Sequence, residues 1–496
     1  MAIDIELLWQ PYRFFPYEKC LATKEVEALL APIRVQETPL GLQVKTAKGV
    51  ERATQLTYFR SLVADGVEHR TKQSLLEATA VGESGNRQGT RYSVHGFHEY
   101  KGKFNPQVAR AVLHTFQLPK NARVLDPFCG SGTTLIECSH LGIRSVGADI
   151  NPLAAYIAQA KGDALHIPAD DLLDAHERAA KAAKKSRAQT VSSDVRTRYL
   201  LEWFTPEVLS QIERLRVAIE LEPDARIVRI LKVFVSDLLR DHSLQEPADL
   251  RIRRRKTPLP EESIVVAYDK KGSYEISKLA SVQRLLTNIG TLEVLNTDSK
   301  QLTKTSKTKF DAVITSPPYA TALPYIDTHR LSLVWLGLCQ PANIFRMQSE
   351  LTGSREAYNG EKQRWEESLS KNTDMLPAMA HQFCKGLSSR LNDADGFRRQ
   401  AVPLLLYRYL SHMRQTFTEL KSLMKPNGSV GLVIGHNHTN LGGERIDIDT
   451  PELLATLASS VGFTDIERRI LETYQRYGIH AKNAVSKEEL LIFRHP

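Results

Sequence analysis

Apolar and polar positions change rhythm several times along the chain, and each change marks an element. In "FNPQVARAVLHTF" (104 to 116) the apolar residues recur at helical spacing behind an early proline, a common helix opening. "ARVLDPFCGSGTTLIECSHLG" then gives a short apolar strand, a glycine turn and an amphipathic helix. "RSVGADI" (144 to 150) is the next strand, and "NPLAAYIAQAK" the next helix. This strand–turn–helix–strand order predicts a doubly wound α/β sheet.

The rhythm then lapses from 165 to about 285, where two or three helices are expected within "YLLEWFTPEVLSQIERLRVAIEL" and "ARIVRILKVFVSDLLRD". "RIRRRKTPLPEES" reads as an exposed loop. Strands resume with "LEVLNTD" (292 to 298) and "FDAVITSPPY" (310 to 319). A second interruption, 340 to 400, is polar, charged and irregular. The chain closes with the helix "LLLYRYLSHMRQTFTELKSLM", the strand "GSVGLVIG", the helix "PELLATLASSVGF", and two strands, "TDIERRIL" and "EELLIFRH", expected to form a hairpin that finishes the sheet.

The divisions that follow are an accessory region, 1–90, to which no chemistry is assigned, and a core built from 91–164, 286–340 and 401–496. Two insertions interrupt that core, a mostly helical one at 165–285 and a second at 341–400. At 496 residues the chain exceeds one simple core.

Composition narrows the class. Hydrophobic residues make up 42% and charged residues 25%, the profile of a globular protein. No run approaches the roughly 20 apolar residues of a membrane span, so no membrane partner is expected. "MAIDIELLWQPYRFFPYEK" lacks the basic-then-apolar order of a signal peptide. Five scattered cysteines without a CxxC pair point to free thiols in a reducing compartment, and a cytoplasmic location of prokaryotic type is expected. His95/His98 and His436/His438 lack a second cluster at ligand spacing, so no metal is expected. The formal net charge of +9, with "KAAKKSR" (181 to 187) and "RIRRRK" (251 to 256) as basic patches, fits a polyanionic partner.

The glycine turn is the first candidate site. Gly130 and Gly132 directly follow the strand "RVL", where glycine lets the backbone turn tightly and approach a ligand. A helix N-terminus follows, with its free N–H groups. A dinucleotide fingerprint would need a third glycine where Leu135 stands, and a P-loop would need a lysine that is absent. Asp149, ending the second strand, is placed to accept ribose hydroxyls, and Asp298, ending the third, to meet an adenine amino group. Either aspartate could instead cap a helix or a turn. Together these features suggest an adenosine-type ligand without a pyrophosphate.

"VLDPFCGSGTT", "GADINPLA" and "FDAVITSPPY" resemble the cofactor-binding and catalytic motifs of the amino-methylating DNA methyltransferases, enzymes that use S-adenosyl-L-methionine (AdoMet). The resemblance covers about 95 to 160 and 290 to 340, and implies a Rossmann-like AdoMet-dependent methyltransferase fold. It implies that Asp126, Phe128, Gly130, Gly132 and Thr133 form the AdoMet loop, with Asp149 and Asp298 on the adenosine. "HEYKGKFNPQ" (98 to 107) resembles the segment that closes over the methionine end, which brings in Lys103, Phe104 and Pro106. Ser316, Pro317, Pro318 and Tyr319 match the catalytic tetrad.

The tetrad's chemistry follows from the substrate. An exocyclic amino group is a poor nucleophile, because its lone pair is delocalised into the base. Acceptors for the amino hydrogens localise that pair; the Ser316 side-chain oxygen and the Pro317 carbonyl are assigned that role. The prolines donate no N–H and fix φ, so the carbonyl stays available. Ser316, preceding a proline, keeps the extended strand direction. Tyr319 is assigned to stack on a base extruded from double-stranded DNA. In this family a leading serine is typical of cytosine-N4 enzymes, whereas aspartate or asparagine is commoner for adenine-N6.

Two regions can read the target, the first insertion (165–285) being the leading candidate and the second the runner-up. The first insertion offers Arg251, Arg253, Arg254 and Arg255 for phosphates or guanine edges. The second offers Arg346 and Arg355, and Tyr325 and Arg330 follow the tetrad. An adenine-N6 enzyme, an RNA base methyltransferase and a non-catalytic AdoMet-binding subunit stay open as alternatives. A separate restriction or defence partner is compatible with the sequence, and the oligomeric state is not specified by it.

Overall fold

A computed structural model describes residues 2–80, 88–100, 102–186, 193–249, 252–320, 325–356, 360–472 and 487–496. Five antiparallel strands come first: β1 (Ile3–Trp9), β2 (Arg34–Thr38), β3 (Gly41–Thr46), β4 (Phe59–Ala64) and β5 (Val67–Arg70), in spatial order β2-β3-β1-β4-β5. The central sheet follows with β6 (Arg123–Asp126), β7 (Arg144–Asp149), β8 (Leu292–Asn296), β9 (Phe310–Thr315) and β10 (Met424–Gly435). A two-stranded hairpin, β11 (Asn437–Leu441) and β12 (Glu444–Ile448), stands apart. The chain ends with β13 (Thr464–Glu472) and β14 (Lys487–Arg494).

The central sheet has the order β13-β14-β10-β9-β6-β7-β8. Strands β6 to β10 run parallel, β14 lies antiparallel to β10, and β13 pairs antiparallel with β14. The expected α/β fold is therefore present, and the C-terminal hairpin closes it. From β6 the chain winds one way to β7 and β8, then returns to β9 and winds the other way. The crevice beyond the carboxyl ends of β6 and β9 is the switch point where such sheets bind ligands.

Both faces of the sheet are covered, which explains the near-continuous apolar runs. On β9, Ala312 and Ile314 point into one core while Val313 points into the other; Val124 and Leu125 on β6 divide in the same way. One core is shared with the accessory sheet and its helix Pro16–Leu30, through Leu21, Val26, Val108 and Val112. The other is filled by the helix Val402–Leu423 and by the helices of the second insertion.

The first insertion is helical as expected, and the second departs from expectation. The two stretches expected to hold two or three helices carry Pro206–Glu220, Ala225–Leu238 and the end of Val195–Leu201, and among the described residues the helices Ala169–Lys185 and Ile264–Leu285 flank them. The second insertion, expected to be irregular, carries helices Ile344–Glu350, Glu361–Lys371, Ala378–Ser388 and Phe397–Gln400. Helix Glu361–Lys371 buries only Trp365, Ser368 and Leu369, so its charged face hid the helical period. Among the described residues no helix is long and apolar enough to cross a membrane.

Candidate active site

The crevice at the switch point holds two adjoining lobes. The larger offers about 630 Å³ of space open to solvent and is lined by Tyr100, Phe128, Gly130, Asp149, Asp298, Ser316 and their neighbours. The smaller, about 300 Å³, is lined by Lys103, Phe104, Asp126, Ser131, Thr133 and also Ser316. Tyr100, Gly102, Phe128, Gly130 and Ser316 belong to both lobes. Ser316 thus stands where they meet.

The glycine loop is held on three sides. Cys129 donates its N–H to the Ala148 carbonyl at 2.9 Å, Gly130 donates to Asp149 Oδ2 at 2.9 Å, and Gly132 donates to the Cys129 carbonyl at 2.8 Å. Gly130 and Gly132 have φ of +50° and +87°, a region costly for any residue with a Cβ. A Cβ on Gly132 would also sit 3.0 Å from that of Ala158. Behind the loop, the buried amine of Lys161 donates to the Ser131 carbonyl at 3.1 Å, and burial lowers its pKa to about 7.

Two carboxylates flank the loop. Asp126 Oδ1 accepts from Thr315 Oγ1 at 2.6 Å and from the Phe128 N–H at 3.1 Å, tying the end of β6 to the end of β9. Burial raises its pKa from 3.8 to about 6, against those hydrogen bonds. Asp149, at the end of β7, also accepts from the Asn151 N–H at 2.8 Å; burial raises its pKa to about 6 too. Asp298 combines both readings: it accepts from the Lys300 N–H at 3.0 Å, pairs with the Lys300 amine at 2.8 Å, and still faces the larger lobe.

The segment before the glycine loop closes the site. Lys103 donates to the Thr90 carbonyl at 2.8 Å, and burial, aided by the charge of Lys161, lowers its pKa. Pro106 is the buried first residue of helix Pro106–Thr115, whose cap is Asn105; it lines neither lobe. The ring of Tyr100 lies over Gly130 and stacks on His329 with centroids 4.9 Å apart. Buried Glu137 ties this segment to the helix Thr133–His140: it accepts from Tyr92 at 2.9 Å and from Arg110 at 2.9 Å, with His95 Nε2 at 2.8 Å and His140 Nδ1 at 3.2 Å.

Of the tetrad, Ser316 and Pro318 line the larger lobe and Pro317 is buried. Tyr319 lines neither lobe; its hydroxyl donates to Glu488 Oε1 on β14 at 2.7 Å. The second insertion reaches this point: Leu351 and Thr352 line the larger lobe, and a Cβ on Gly353 would lie 2.7 Å from the Tyr319 carbonyl. Buried Arg408 anchors the following turn through the carbonyls of Ser354 and Glu356.

The arginines of the first insertion are engaged elsewhere. Arg253 pairs with Asp249 at 3.0 Å, Arg254 stacks on Trp203 with 4.6 Å to the ring centroid, and Arg255 bonds the carbonyls of Asp241, Ser243 and Thr257. Arg330 pairs with Asp327 at 2.8 Å, Arg346 pairs with Glu350 at 2.9 Å, and Arg355 is exposed. Arg251 and the side chain of Tyr325 lie outside the described residues. Tyr100, Ser131, Leu351 and Thr352 were not singled out from the sequence; for Tyr100 the signal was present in "HEYKGKF".

The comparisons point to one family. A family model described as DNA methylase, of the N6/N4 type, matches residues 52–160. The type II methyltransferase M.BsoBI of Geobacillus stearothermophilus is 24% identical over 431 residues, covering 78% of this chain and 81% of that protein. M.AvaI of Nostoc is 22% identical over 490 residues, covering 92% and 97%. These matches support the amino-methylating DNA methyltransferase family for this chain. A shorter likeness, 44% over 52 residues, links the methyltransferase to a tRNA (guanine(10)-N2)-dimethyltransferase of Methanothermobacter thermautotrophicus, covering 10% of this chain and 16% of that one.

The methyltransferase's cofactor is S-adenosyl-L-methionine, and its residues fit that group. The larger lobe offers carboxylates and an aromatic wall for a nucleoside, and the smaller offers Lys103, Thr133 and the buried, unpartnered hydroxyl of Ser131 for a charged amino-acid end.

Proposed function

We propose that this chain is a site-specific methyltransferase acting on double-stranded DNA, that the target is extruded from the helix, and that the methylated atom is cytosine N4. The observation that carries the reading is the location of Ser316 in both lobes, beside the two carboxylates and one strand from the glycine loop. AdoMet, when bound, supplies an electrophilic methyl group.

The chain's own residues do the rest. The Ser316 side-chain oxygen and the Pro317 carbonyl accept the amino hydrogens, which draws the nitrogen lone pair out of conjugation. Pro317 and Pro318 hold that carbonyl rigid. Leu351 and Thr352, buried against the tetrad, exclude water from one wall. Tyr319 supplies an aromatic face to the extruded base. No strong base is required, because the amine becomes acidic only once methylated. Fixing both reactants in line supplies much of the rate as effective molarity.

Cytosine is preferred to adenine because the tetrad begins with serine. The relatives' type II names and the free thiols support a cytoplasmic methylase with a separate restriction partner. A second reading, amino methylation of RNA, is supported by the 52-residue likeness to the tRNA enzyme. Labelled methyl transfer to plasmid DNA and to total RNA, assayed side by side, separates them. Transfer to DNA alone is expected, and transfer to RNA alone overturns the reading.

A further inference from the structure

The hairpin β11–β12 leaves the sheet at the same edge as the tetrad. Leu432 on β10 is level with Thr315 on β9, so the chain emerges from β10 just beyond the level of Ser316. There the Asn437 side-chain amide donates to the Ala320 carbonyl at 2.7 Å, fixing the hairpin's base to the residue after the tetrad. The far end of the hairpin is also held. Its Gly442 N–H donates to buried Asp395 at 2.9 Å, and a Cβ on Gly442 would meet the Arg390 carbonyl at 2.6 Å. Asp395 also accepts from the Asn392 N–H at 3.1 Å. The hairpin and the 390–400 turn therefore form one continuous rim that begins at the catalytic motif.

That rim carries an unusual surface. Phe397 is 79% exposed, more than any other large apolar side chain among the described residues. The guanidinium of the adjacent Arg398 is 5.7 Å from the ring centroid. Lys385, Arg390 and Arg398 are exposed and make no ion pair among the described residues, and Arg399 reaches Asp395 only at 4.0 Å. In the first insertion, by contrast, Arg253, Arg254 and Arg255 are occupied by Asp249, Trp203 and backbone carbonyls. An exposed aromatic on a rim that also carries exposed cations suits a polyanion whose bases can be stacked upon or wedged apart.

We infer that this rim, Lys385 to Gln400 with the hairpin 437–448, is the surface on which the DNA duplex seats. Arg390, Arg398 and Arg399 contact phosphates, and Phe397 packs against or between base pairs next to the extruded nucleotide. The inference rests on the reading of the chain as a DNA methyltransferase, and it moves the target contacts from the first insertion to the second.

The test uses the full chain and a fluorescent duplex carrying the site that it methylates, or random duplex if no site is known. Affinity is measured by anisotropy between about 50 and 300 mM salt. Phe397→Ala should weaken binding at least fivefold. The combined Arg390→Ala, Arg398→Ala, Arg399→Ala variant should flatten the dependence of log affinity on log salt by about 2 to 3, near 0.9 for each lost phosphate contact. AdoMet affinity and melting temperature should be unchanged in both, since all four side chains are exposed. Wild-type affinity and salt slope in both variants would overturn the inference. Methyl transfer by the wild-type chain is scored separately: its absence, with rim-dependent duplex binding intact, counts against the enzyme reading and not against the rim.

Discussion

The hydroxyl of Tyr319 donates to Oε1 of Glu488 at 2.7 Å, joining the last residue of the tetrad to β14, the antiparallel strand beside β10. The tyrosine ring is thereby held beside the cleft without lining it. If its task is to stack on an extruded base, the ring matters more than the hydroxyl. Tyr319→Ala should lower kcat/KM for DNA by roughly 5- to 150-fold, the value of one base stacked on an aromatic ring. Tyr319→Phe and Glu488→Gln should each cost less than about tenfold, with AdoMet affinity unchanged in all three. Equal losses for Phe and Ala would assign the function to the hydroxyl instead.

Ser316 faces both lobes, so its replacement tests the acceptor role. Ser316→Ala should lower single-turnover methyl transfer by about 100- to 1,000-fold, in line with the removal of one preorganised transition-state hydrogen bond. AdoMet affinity should change by less than about threefold, as measured by calorimetry. A proportionate loss of AdoMet binding would make Ser316 a cofactor ligand and not an amino-group acceptor.

Asp149 holds the glycine loop through Gly130 and faces the larger lobe. Asp149→Ala removes both that anchor and the acceptor for ribose hydroxyls, and AdoMet affinity should fall at least tenfold. Duplex affinity without cofactor should be retained, because the proposed DNA rim is built on the second insertion and the β11–β12 hairpin.

Asp126 carries a stability cost with a definite pH signature. Its folded pKa, about 6, lies above the reference value of 3.8, so the folded state binds the proton more tightly. The resulting stabilisation is complete below about pH 3.8 and is lost as pH rises through about 6; above that, the charged group costs up to about 3 kcal/mol. The cofactor-free Asp126→Asn variant should therefore melt higher than wild type at pH 8. The gap should narrow on acidification towards pH 5, as followed by thermal unfolding. A gap independent of pH would mean that Asp126 is not a buried charge.

The parts of the site legible in the sequence were those with local signatures. Gly130 and Gly132 follow an apolar strand, and Ser316-Pro317-Pro318-Tyr319 terminates another, so strand, turn and motif all lie within ten residues. Tyr100 had a local signal, its place in "HEYKGKF", but its stacking on His329, more than 200 positions away, was not readable from that segment. The first insertion's arginines were attractive for their charge, but sequence cannot show that Trp203 and the carbonyls of Asp241 and Ser243 already engage them. The β11–β12 hairpin did have a signal, the Gly442-Gly443 pair between polar strands, with φ of +61° and +86°. Its strands bury few side chains, and the alternation that marks a strand was correspondingly weak.

The most direct test of the central claim is the identity of the methylated nucleoside. Duplex DNA is incubated with the purified chain and deuterated AdoMet, digested to nucleosides and analysed by mass spectrometry. A Ser316–Pro317 acceptor pair holding a cytosine amino group predicts labelled N4-methyldeoxycytidine. Labelled N6-methyldeoxyadenosine would contradict the base assignment, and label on a ring carbon, or none in DNA at all, would contradict the acceptor site itself.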